Sequence, residues 1–136
     1  MVKKKRPKEP NNPITDKCDV IIRGIRRTDL KIDWSHIDEH NEEFRNSKKK
    51  KVKENLNQWL LDKEVIKDFV QQLEGKKLRD EGVHKDWPHW KYYGYDKVID
   101  KRNGKKYRIL IFLDDECPNF VRVVTVYPPK KPKPEE

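Results

Sequence analysis

The chain has 136 residues, 42% charged and 33% apolar, and its 33 Lys plus Arg against 24 Asp plus Glu leave a net charge of +9. That length supports one domain with a real core. The basic surplus favours polyanionic partners, nucleic acid before an acidic membrane, with a charged solvated surface or an acidic protein partner as the plainer accounts.

No apolar run approaches 18 residues and no signal-peptide-like segment is present, so no membrane span is expected. The two cysteines, Cys18 and Cys117, lie far apart with no CxxC spacing, so neither a disulfide framework nor a cysteine zinc site follows. The default setting is reducing and cytoplasmic.

Residues 1–13, MVKKKRPKEPNNP, are basic, Pro-rich and nearly free of apolar side chains, which predicts a disordered arm. Cys18–Ile25 reads as a first short strand, followed at once by Arg26 and Arg27. Ser35 with Asp38 three residues on resembles a capping box, and Ile37, His40, Asn41 and Phe44 then share one helical face, so a short helix is predicted from about 36 to 46.

The four-lysine run Lys48, Lys49, Lys50 and Lys51 opens the clearest helical stretch. Val52, Leu56, Trp59 and Leu60 recur at helical spacing, and Leu61, Val65, Phe69 and Leu73 continue the row to a stop at Gly75. Asp62 is a candidate N-cap, so one helix or two are both open. The apolar stripe is core that would lie on a sheet, and the lysines are a solvated face or a phosphate contact.

Trp87–Tyr95, WPHWKYYGY, crowds aromatics around His89 and Lys91: a base-stacking platform, or a strand packing aromatics under the helices. Asn103-Gly104 predicts a tight type I′ turn pairing Lys97–Arg102 with Lys105–Ile111. Tyr107–Leu113 and Phe120–Tyr127 are the two most apolar runs, separated by the polar loop Asp114–Asn119, and read as central antiparallel neighbours. After Tyr127 the chain becomes Pro- and Lys-rich, so residues 129–136 are predicted to be a disordered tail and 14–128 a single domain.

The fold class expected is therefore α+β, with an N-terminal strand and helices packed on one face of a mainly antiparallel β-sheet. Alternation along the last strand sets Val121, Val123, Thr125 and Tyr127 on one side and Phe120, Arg122, Val124 and Val126 on the other. Arg108 shares a side with Lys106, Leu110 and Phe112. Arg108 and Arg122 are either margin arginines reaching for water or cations aimed into a cleft.

Two metal readings are weak. Asp114, Asp115 and Glu116 read as a hairpin loop. His36 and His40 stand at i, i+4, but HIDEH is not HExxH and no third ligand is apparent. No metal or cofactor is expected.

The segments KKYRILIFLDDE and FVRVVTVY resemble the end of RelE-type toxin ribonucleases, within the wider group of barnase-, EndoU- and colicin-like nucleases. Those have helices first and a twisted antiparallel sheet after. Here Cys18–Asn46 adds a strand and a helix in front. The resemblance implies metal-independent RNA cleavage by attack of a ribose 2′-hydroxyl on the adjacent phosphate. Such a site needs a base, cations for the pentavalent phosphate and an acid for the leaving oxygen.

On that resemblance Arg108 would stabilise the phosphate, Tyr127 would act as acid or base, Thr125 would bind the scissile phosphate, and His84 or His89 would be the general base. Lys91, Lys105, Lys106, Arg122 and the Lys48–Lys51 run would contact nucleic acid. The implied partners are RNA, free or ribosome-bound, and an acidic antitoxin or immunity protein. A non-catalytic nucleic-acid-binding module and an interaction protein with a basic surface are the alternatives.

Overall fold

The computed structural model describes residues 15–86, 88 and 90–127. The N-terminal arm, the C-terminal tail and His89 lie outside these. The fold is α+β, with a six-stranded sheet in the order β1-β2-β6-β5-β4-β3. Every pairing is antiparallel except β2 with β6, which is parallel.

The chain enters through a hairpin, β1 (Thr15–Ile22) and β2 (Ile25–Ile32). Its turn, Arg23-Gly24, has both residues at positive φ, +53° and +78°. That geometry matches the strand twist of a two-residue hairpin, and it divides the single strand expected at Cys18–Ile25. Arg26 and Arg27 belong to β2.

Helix α1 (Trp34–Arg45) starts from Asp33, whose carboxylate accepts from the Ser35 backbone N–H at 3.3 Å and from its hydroxyl at 2.9 Å. The cap is thus two residues ahead of the one expected. The long helical stretch divides into α2 (Lys50–Glu54), a 3-10 turn at Leu56–Gln58, and α3 (Lys63–Gln71). Asp62 caps α3 through the Val65 N–H at 3.0 Å. The Asn41 side chain ties α1 to the chain before α3, donating to the Leu61 carbonyl (2.9 Å) and accepting its N–H (2.7 Å).

Four strands complete the sheet: β3 (Arg79–Val83), β4 (Trp90–Asp100), β5 (Lys105–Asp114) and β6 (Cys117–Tyr127). β3 is an exposed edge strand of RDEGV, a segment without the apolar alternation that would announce a strand. The turn before β5 is longer than a two-residue I′ turn. Asp100 pairs with Lys105, and only Gly104 of the Asn-Gly pair has positive φ. Asp100 organises this turn: buried, it accepts the Arg102 N–H (2.9 Å) and the Arg102 guanidinium (3.0 and 2.8 Å).

One core unites helices and sheet. Ile37 of α1 and Ile66, Phe69 and Val70 of α3 pack with Tyr107, Ile109, Ile111 and Leu113 of β5 and Val121, Val123 and Val126 of β6. Phe69 and Tyr107 rings meet at 5.3 Å. Tyr93 and Val98 of β4 and Val20, Ile22 and Leu30 of the first hairpin extend the same cluster. Burial, then the nearby Asp100 carboxylate, pushes the Tyr107 phenol up to about 12.

Candidate active site

The face of β5 opposite the core carries Arg108, Leu110 and Phe112. What joins β6 to it is a bulge. Ile111 pairs with Val123, but Leu110 pairs with Thr125, so Val124 is an inserted residue. An extra residue reverses the phase of everything after it. Val126, not Thr125, therefore continues the core after Val121 and Val123. Thr125 and Tyr127 turn to the side of Leu110 and Arg108. Unbroken alternation had them with Val121 and Val123.

Arg108 and Tyr127 are direct cross-strand partners. The guanidinium carbon lies 5.9 Å from the ring centroid. Nε of Arg108 donates to Asp96 Oδ1 at 3.1 Å. Arg108 makes no other hydrogen bond among the described residues, so both Nη groups are available to an anion, a fork suited to phosphate.

Asp96 sits at a second bulge, where Tyr95 pairs with Ile109 and Val98 with Tyr107. It also takes a two-pronged contact from Arg79, at 2.8 and 3.1 Å. The Arg79 hydrogen bonds first, then the charges of Arg79 and Arg108, hold the Asp96 carboxyl below its usual value despite some desolvation. Arg79, which also binds Glu81, lies over Gly94; a Cβ there would come within 2.7 Å of Arg79 Nη2. A glycine in mid-strand thus makes the space in which the Asp96 clamp on Arg108 is built.

The third group comes from α1. His40 points its ring edge-on at Tyr127, with centroids 6.0 Å apart and planes at 67°. Its Nδ1 lies 3.3 Å from Oε1 of Glu43. Thr125 is 2% exposed, and its hydroxyl oxygen is buried with no hydrogen-bond partner. An unmet buried hydroxyl costs stability, and such costs gather at sites with a use for the group.

The sequence-level candidates thus divide. Arg108, Thr125 and Tyr127 come together. His84 does not join them. It packs edge-on against Trp90 at 5.2 Å, and its Nδ1 accepts the Asp86 N–H at 3.0 Å. Trp90 pairs with Asp114, whereas Arg108 stands opposite the bulge at Asp96, six residues along β4 and roughly 20 Å away at strand spacing.

Lys91 is engaged by Asp115 at 2.9 Å. Lys105 and Lys106 are exposed beside the turn, and Lys106 is two positions from Arg108 on the same side of β5. Lys48–Lys51 are exposed around the start of α2. Arg122 lies 6.0 Å from the Phe112 ring and 3.3 Å from Asp33. It borders an aromatic group in which Trp90 and Tyr92 meet Phe112 at 4.8 and 5.7 Å. The aromatics of WPHWKYYGY are therefore shared out, with Tyr93 in the core and Trp90 and Tyr92 on the other side.

In sequence His40 stood on one helical face with Ile37, Asn41 and Phe44 and as half of a zinc-like pair, and neither reading gave it a catalytic role. The signal that finds it is its place on the apolar face of α1 with Ile37, Asn41 and Phe44. Among the described residues no three His, Cys, Asp or Glu side chains gather as a ligand set. No described helix is long and apolar enough to cross a membrane.

The chain matches no family model, no curated protein and no solved structure. The RelE-type resemblance stands on KKYRILIFLDDE and FVRVVTVY alone.

Proposed function

We propose that this protein is an endoribonuclease of the toxin kind that cleaves RNA without a metal ion. The observation that carries the reading is the placement of the His40 imidazole and the Arg108 guanidinium against one ring, that of Tyr127, each about 6 Å from its centroid.

His40 takes the proton of the ribose 2′-hydroxyl, since an imidazole exchanges protons near neutral pH. The 2′-oxygen bonds to phosphorus as the bond to the 5′-oxygen breaks. The Nη groups of Arg108 hold the non-bridging oxygens, where charge accumulates. Thr125, whose hydroxyl is buried in the free protein, donates to one of them once the site opens around the substrate. Tyr127 delivers a proton to the departing 5′-oxygen. The products are a 2′,3′-cyclic phosphate and a free 5′-hydroxyl. The basic surface draws in RNA, and an acidic protein inhibitor fits the same field.

The test is incubation with labelled RNA in EDTA, beside Arg108→Ala, Tyr127→Phe and His40→Ala. Cleavage lost in all three supports the reading. Cleavage by wild type that survives all three substitutions removes the site, and wild-type inactivity on both free RNA and translating ribosomes removes the function.

A second reading has its own support. Half-buried Tyr92 and Arg122 lie on the same side of the sheet beside the buried Trp90 and Phe112, and would offer RNA one ring and one cation without cutting it. It predicts salt-sensitive RNA affinity that falls with Arg122→Ala and is indifferent to Tyr127→Phe.

A further inference from the structure

A separate cleft of about 340 Å³ opens where the β1–β2 turn meets the β5–β6 turn and the start of β4. It is lined by Arg23, Arg27, Lys91, Tyr93, Asp114 and Asp115, among others. Leu113, on its wall, is five residues along β5 from Arg108 and faces the core side, so the cleft is distinct from the Tyr127 site.

Among the described residues, two of its cations have no acid within ion-pair reach. Arg27 is 3% exposed. It donates through Nε (3.3 Å) and Nη2 (2.9 Å) to the Ile22 carbonyl, and through Nη1 to the Pro118 carbonyl. A guanidinium has five N–H donors, so two are unspent among the described residues. Burial pulls its pKa down, by more than the charge of nearby Asp115 raises it. Buried guanidiniums are normally paired.

Arg23 is the one described non-glycine residue at positive φ, and its guanidinium is laid over the Tyr93 ring at 4.5 Å. The acids of the cleft have partners other than Arg23 and Arg27. Asp115 holds Lys91. Asp114 accepts from Trp90 Nε1 at 3.1 Å and from the Glu116 N–H at 2.9 Å.

We propose that this cleft binds a phosphate monoester group between Arg23 and Arg27. A monoester presents three terminal oxygens and close to two negative charges at neutral pH, enough to meet both guanidiniums at once. A phosphodiester has two such oxygens and one charge. The cleft's own formal charge, three cations against two carboxylates, favours an anion. The group belongs either to a small phosphorylated compound or to the phosphorylated end of a nucleic acid. The proposal stands independently of the ribonuclease reading.

The test uses the full chain, titrated with inorganic phosphate, with a 5′-phosphorylated deoxytrinucleotide and with its 5′-hydroxyl counterpart, at ionic strength matched with chloride. Phosphorus NMR and calorimetry follow binding. Saturable phosphate binding is expected, with the phosphorylated trinucleotide at least tenfold tighter than the hydroxyl form.

Arg23→Asn keeps a residue that tolerates the turn's backbone and should weaken phosphate at least tenfold with an unchanged melting temperature in chloride. Arg27→Lys, which retains the charge but loses the fork, should weaken it too. Phosphate as tight as the phosphorylated trinucleotide assigns a small ligand, and a tighter trinucleotide assigns a nucleic-acid end. No saturable binding, equal affinity for the two trinucleotides, or an Arg23→Asn variant that binds like wild type would each overturn the proposal.

Discussion

The imidazole of His40 meets the phenol ring of Tyr127 edge-on at 6.0 Å, across the junction of α1 and the end of β6. If His40 is the base of the reaction proposed here, His40→Ala should lower RNA cleavage by about 10²–10⁴-fold, the usual worth of a positioned general base. RNA affinity should be almost unchanged. His84→Ala should leave the cleavage rate within about twofold of wild type. Single-turnover rates on one oligonucleotide measure both.

Thr125 separates stability from activity. Its hydroxyl is buried without a partner, so Thr125→Val removes an unmet polar group at nearly constant shape. We expect a gain of about 1 kcal/mol in unfolding free energy. Cleavage should fall at the same time, because the hydroxyl is assigned to the scissile phosphate. Denaturant melts beside cleavage assays would show the two moving in opposite directions.

Asp96 should govern part of the acid limb of stability. Its carboxyl is held below the ordinary aspartate value of 3.8. A depressed carboxyl stabilises the folded state above the unfolded pKa and loses that contribution as pH falls through the folded one. The pair is half exposed, so the effect at pH 7 is about 1 kcal/mol or less. The melting-temperature difference between wild type and Asp96→Asn should be constant from pH 7 to about pH 5 and close below about pH 4. A gap independent of pH down to 2 would refute this account of the ion pair.

Gly94→Ala tests the clamp from beneath. The added Cβ would meet the end of the Arg79 side chain at 2.7 Å and the Glu81 carboxylate at 3.0 Å. Both can swing aside, so the stability cost should stay near 1 kcal/mol, the low end for overpacking. Arg79 should leave Asp96, and Arg108 should lose its fixed orientation. Cleavage should fall severalfold while RNA binding persists, and Gly94→Val should be worse in both respects.

The helices and the last two strands were legible because their signals are local. α3 announces itself through Val65, Ile66, Phe69 and Val70 with Asp62 ahead, and β5 through an unbroken apolar run. β2 and β3 were not legible, for a different reason in each. IRRTDLKI owes its place to pairing with β6 from the far end of the chain, and RDEGV is an edge strand with every residue exposed.

The bulge at Val124 leaves no trace in a run of β-branched residues. The facing of Val126 relative to Thr125 and Tyr127 could not be read without it. The Asn103-Gly104 signal was overridden by Asp100, whose side chain organises a longer turn. Arg108, Thr125 and Tyr127 were found through the resemblance. His40 was passed over because its partner ring lies 87 positions along the chain.

The sheet order has a consequence for synthesis. β6, the last strand described, is inserted between β2 and β5, so the earlier strands emerge from the ribosome with a gap in their middle. The β2–β6 pairing joins segments about 90 residues apart, a closure that makes folding slow. Until residues 117–127 have been made and have slotted in, neither Tyr127 nor the partner strand of Arg108 is in place. On the ribonuclease reading proposed above, a nascent chain would therefore stay inert however much of its length has folded, because the candidate site is completed only by its last described strand.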